Sequence, residues 1–125
     1  MCRSVLCVLA GTVGALVVST SALAHHGGAS LYDMKKETTL KDTVTEFVWT
    51  NPHVEIGLET VDSKGRVDRW LIELGSPANV VNRGWNKKSL KPGDTVTITI
   101  HPGLRGAKIG VLVKVVMADG KELRA

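Results

Sequence analysis

The chain has 125 residues, with 16 Lys and Arg against 12 Asp and Glu, and 43% of its residues are hydrophobic. That length holds one domain and not two. A formal net charge of +4 with no basic block is charge at the level of solubility, which argues against nucleic acid as a partner.

Residues 1–24 read as a secretory signal peptide. Arg3 is their only charge, Val5 to Val18 is apolar or small, and Ala22 and Ala24 hold the small-residue positions before a cut. The apolar run is short for a membrane span, and no basic flank follows to stop transfer. The predicted cut after Ala24 leaves an exported chain from His25 to Ala125, periplasmic or secreted, with no stable membrane span and a net charge of +3 once Arg3 is lost. Both cysteines, Cys2 and Cys7, lie in the leader. The mature chain therefore rests on its core without disulfides. The apolar run follows Cys7 instead of preceding it, so lipidation is not expected.

Residues 25–38 form an N-terminal arm. His25-His26 is followed by the spacer Gly27-Gly28-Ala29-Ser30, and Leu31 to Lys36 shows no period, as expected of a segment laid across the domain. Residues 39–125 carry the periodic elements. Lys41 to Trp49 is a strand in which Val44, Glu46 and Val48 alternate with Thr43, Thr45, Phe47 and Trp49. Thr50-Asn51-Pro52 ends it, because proline has no amide hydrogen for a ladder and asparagine favours turns. The second strand sets Val54, Ile56 and Leu58 against His53, Glu55 and Glu59. Asp62-Ser63-Lys64-Gly65 is a hairpin turn, and the third strand, from about Val67 to Leu74, carries Trp70, Ile72 and Leu74 on one face.

Ser76-Pro77 is a helix start, serine as cap and proline in the first turn. The expected helix runs from Ala78 to Arg83 with Gly84 at its end, and Trp85 packs back onto the sheet. A fourth strand alternates Val96, Ile98 and Ile100 with threonines and stops at His101-Pro102-Gly103. A glycine-rich connection leads to an apolar fifth strand from Ile109 to Met117. After the turn Ala118-Asp119-Gly120-Lys121, residues Lys121 to Leu123 pair back as a short last strand. The order β-β-β-α-β-β is that of a small OB-fold-like Greek-key barrel with one short helix between strands three and four; an open β-sandwich is the alternative.

The start Ala24-His25-His26, the run Val44 to His53 with its Trp49-Thr50-Asn51-Pro52-His53 motif, Gly75-Ser76-Pro77, Arg83-Gly84-Trp85 and Leu90 to Asp94 resemble a family of small exported bacterial proteins. That family is classed only as a domain of unknown function. The resemblance covers essentially the whole mature chain. It departs at Gly27, Gly28 and Ala29, where the family has serine and then an aromatic residue, which loosens the arm. No activity comes with it, so chemistry is read from the residues.

All four histidines fall after the leader, at positions 25, 26, 53 and 101. Imidazole suits copper, zinc and nickel, and a free terminal amine with the ring of the first histidine makes a chelate that a further imidazole completes. The expected metal ligands are His25, His26 and His53, with copper favoured. His53 is the better internal partner because Pro52 restricts Asn51 and so fixes the corner. In an OB barrel the start of strand two and the end of strand four lie at opposite ends of strand one, so His101 is not expected to share an ion with His53. Met34 is a weaker candidate for a soft axial ligand.

The tryptophans give the alternative, a non-metal module binding a ligand or a periplasmic protein through the surface around Trp49 and Asn51. Trp49 serves as a stacking platform only if its strand face points outward; otherwise Trp49, Trp70 and Trp85 supply core area. Glu73 and Asp33 are the acids nearest these elements, but no general acid and base pair or nucleophile elbow is present. The expected function is therefore a non-enzymatic exported binding module.

Overall fold

A computed structural model describes residues 31–125, so the leader, its cut and His25 and His26 lie outside the described residues. Six strands are present: β1 (Thr38–Val48), β2 (Glu55–Val61), β3 (Val67–Glu73), β4 (Thr95–Pro102), β5 (Ile109–Met117) and β6 (Glu122–Arg124). The helix α1 (Pro77–Val81) joins β3 to β4, and a 3-10 turn at Leu104–Gly106 joins β4 to β5. Strand order is β3-β2-β1-β4-β5-β6, and a parallel pairing of β3 with β5 closes five strands into a mixed barrel. The OB-like order read from the sequence is the observed one, and the closure excludes an open sandwich.

The hairpin between β2 and β3 is fixed by Asp62, whose Oδ1 accepts from the amides of Lys64 at 2.8 Å and Arg66 at 2.9 Å. Those bonds set a seven-residue register from Glu55↔Glu73 to Val61↔Val67, which keeps Ile56, Leu58 and Ile72 inside. Val96, Ile98 and Ile100 of β4 line the opposite wall, and Val80 and Trp85 join the same core from the α1 side.

The alternation predicted for β1 breaks at one place. Register slips between Val44 and Glu46, so Thr45 is the extra residue of a β-bulge. Val44 is buried, but beyond the bulge Phe47 and Trp49 pack against the core, while Glu46 is exposed. The sequence reading placed Val44 with Glu46 and Val48; the bulge puts it with Phe47 instead. Gly57 lies opposite, where a Cβ would meet Thr45 Oγ1 at 2.8 Å. A second slip between Thr99 and Ile100 lets both Leu112 and Val115 of β5 face inward.

The helix is shorter than expected. The Ser76 side chain makes no capping bond; its carbonyl instead accepts the amides of Asn79 and Val80. Pro77 opens the helix as predicted, and the turn tightens at the far end through Arg83 N–H to Val80 O and Gly84 N–H to Val81 O. Trp85 is buried and donates its indole N–H to Arg124 O at 2.7 Å, which satisfies the one polar atom the ring carries inside.

Candidate functional site

Residues 31–37 form a strap across the outside of the barrel. Tyr32 bridges to Gly103, Asp33 N–H donates to Pro102 O at 2.8 Å, and the Lys36 carbonyl lies 2.9 Å from His101 Nδ1. The tyrosine is the anchor: it is 6% exposed, and its hydroxyl donates to Glu73 Oε2 at 3.1 Å. Burial, with Glu73 and then Glu55 close by, raises its phenol from 10.0 to about 12. The arm therefore does lie on the domain, held at one end by a side chain and at the other by backbone.

His53 stands beside that anchor. Its Nδ1 is 3.9 Å from the same Glu73 Oε2, and the histidine side chain is 50% exposed. Val54, the next residue, is fully buried and exchanges backbone bonds with Leu74 and Gly75, so the corner carrying His53 is fixed from behind. Glu55 and Glu73 are direct cross-strand partners. Like charges so placed destabilise a sheet unless something offsets them. Among the described residues, neither carboxylate forms an ion pair with lysine or arginine.

The remaining sequence candidates fall elsewhere. Trp49 is half-buried on the core side, with its ring edge-on to Phe47 at 6.2 Å, so the outward face that stacking requires is not the face the bulge gives it. Asn51 and Pro52 are exposed, and the bond between them is cis. Met34 is exposed, 49% of its surface open, and is not packed as a core residue.

His101 is engaged by the strap. Through β1 the ends lie apart as expected, Val48 pairing with Glu55 and Thr38 with Ile100. Closure adds a second route that the sequence reading did not consider. His101 pairs with Val111, Val111 with Glu73, and Glu73 with Glu55, so the two histidine-bearing segments sit on one row of partners, three strand spacings or about 14 Å apart. Among the described residues no three His, Cys, Asp or Glu side chains are grouped so as to hold a metal ion. The described barrel thus offers one imidazole and two uncompensated carboxylates, and a closed metal site there needs ligands from outside the described residues.

Tyr32 is the residue that sequence reasoning missed. Its only local signal is an aromatic residue in an otherwise polar arm, since its partner is 41 positions away.

A closed five-stranded barrel, strapped on its outer face by the segment that precedes β1, is the class this architecture defines. Residues 14–113 match the Family of unknown function (DUF6152), and the chain belongs to that family. No curated protein and no solved structure matches it.

Proposed function

We propose that this protein is an exported, non-enzymatic module that binds a transition metal, copper favoured, through the mature N-terminus at His25, with His26, and through His53. The observation that carries this reading is the anchorage of Tyr32 on Glu73, whose carboxylate faces His53 at 3.9 Å. A strap fixed there leaves seven residues between Tyr32 and His25, a span of at most about 25 Å when extended. The terminal amine and the His25 ring need only fold back over that distance. Copper(II) favours nitrogen ligands in a tetragonal arrangement, which amine and imidazoles supply. Glu55 and Glu73 add negative charge beside the ion, and Glu73 is close enough to orient the imidazole directly or through water.

Isothermal titration with Cu(II) tests it. Protein starting at His25 binds at least tenfold more tightly than the same protein with one alanine placed before His25, and His53→Ala weakens binding without lowering the apo thermal midpoint. Equal affinity of the two N-termini would sink the proposal.

A further inference from the structure

The opposite end of the strap borders a second feature of different chemistry. Between the strap and the β4–β5 connection lies an open groove of about 320 Å³ whose walls include Lys36, Arg105, Lys108 and Trp70, with Asp33 as its one acid. That volume is at the small end of ligand sites. The groove is walled by loops, but its cations are set on fixed backbone. The Lys36 carbonyl is held by His101, and the Lys108 carbonyl accepts from Leu71 N–H at 3.1 Å.

Arg105 has φ 58 and ψ 29, the left-handed region where a glycine or asparagine would sit without strain. An arginine kept in that conformation places a planar, permanently charged fork on the groove wall. Among the described residues neither Arg105 nor Lys36 has a carboxylate partner. Lys108 is partnered twice, by Asp68 at 3.0 Å and by the Trp70 ring, with its ammonium 4.9 Å from the ring centroid. The pairing of β3 with β5 spans only Leu71 to Glu73, so Trp70 lies just beyond the seam, where its ring borders the groove. Its indole N–H is committed to Thr60 Oγ1, which leaves its apolar surface as what it offers.

From this juxtaposition of Lys36, Arg105, Lys108 and Trp70 we infer that the groove binds a small ring-bearing organic acid, its carboxylate on Arg105 and Lys36 and its ring against Trp70. Guanidinium forks match carboxylates in two-bond geometry, and the indole takes the apolar face of a ring. A nucleic acid strand fits less well, because stacking along a strand uses successive aromatic platforms and this groove has one aromatic residue.

The test is amide and indole NMR of the ¹⁵N-labelled protein titrated with three probes: D-galacturonate, D-galactose and sulfate. Galacturonate produces saturable shifts at the Arg105 amide and the Trp70 indole, while galactose and sulfate each bind at least fivefold more weakly. Arg105→Gly, which relieves the left-handed strain, keeps or raises the thermal midpoint yet weakens galacturonate at least fivefold, and Arg105→Lys recovers part of that loss. Three results overturn the proposal: no saturable shift with galacturonate, sulfate matching galacturonate on the same signals, or an octathymidylate strand binding the groove more tightly than the sugar acid.

Discussion

The two ends of the strap differ in sign and in how they are held. At Tyr32 a buried phenol meets Glu73, and the neighbours are Glu55 and His53; at Lys36 the backbone is pinned by His101, and the neighbours are Arg105 and Lys108. One short segment thus separates an acidic corner from a basic groove on the same barrel. The net charge of the chain conceals this, because the two clusters largely cancel. Local electrostatics here follows from strand closure and not from composition.

The sharpest break of that comparison is to release the strap. Tyr32→Ala removes a buried ring and its bond to Glu73, with an expected loss of about 3 kcal/mol by analogy with other buried aromatic truncations, read by urea unfolding. Gly103→Val strikes the Lys36 end instead. A Cβ there would stand 2.6 Å from Ile109 Cγ1 and 2.9 Å from the Ala107 carbonyl oxygen, so overpacking costs about 1–3 kcal/mol. Amide shifts spread through residues 102–109 and leave the His53 ring signals in place; movement of both ends together would show that the strap acts as one rigid piece.

Tyr32→Phe keeps the ring and deletes the hydroxyl, for an expected cost of about 1 kcal/mol below pH 10. Glu73→Gln gives a finer reading. Tyr32 is the only tyrosine in the chain, so ultraviolet titration reports it alone, and the midpoint falls from about 12 toward 10 when the Glu73 charge is removed. The sign follows from linkage. The folded phenol holds its proton to higher pH than the unfolded one, so this contribution is complete below pH 10 and is lost as pH rises from 10 through about 12.

The smallest effect belongs to Asp94. The Lys91 hydrogen bond holds its carboxyl below the usual aspartate range, so Asp94→Asn removes only a small contribution that is present near neutral pH and fades as pH falls through the aspartate range. It leaves both ends of the strap unchanged, as nitrogen-edited spectra check.

Much of the barrel was legible because β-branched residues alternate cleanly in β2 and β4, where the register is uninterrupted over the paired core positions. The bulges were legible only in hindsight of spacing. Val44 and Phe47 both point inward though three positions apart, as do Leu112 and Val115, and a strict period of two assigns one of each pair to the wrong face. His53 could be singled out because its corner is local in sequence. The company it keeps could not, since Glu73 and Tyr32 come from a strand and a strap that meet through closure. The basic groove was invisible for the same reason: Lys36, Arg105 and Lys108 belong to segments separated by the whole of β1 to β4.

The extra residue at Thr45 has a bearing on chain length in this fold. It divides β1 into two half-strands of opposite parity, so a one-residue gap there is a frameshift of side chains and not a simple shortening. Deleting Thr45 carries Glu46 and Val48 toward the interior and turns Phe47 and Trp49 to the solvent, whereas the same deletion in the hairpin at Ser63 only reshapes a turn. Alignments of related sequences, and any redesign of this barrel, should therefore hold the three-residue step from Val44 to Phe47 constant and allow length to vary elsewhere.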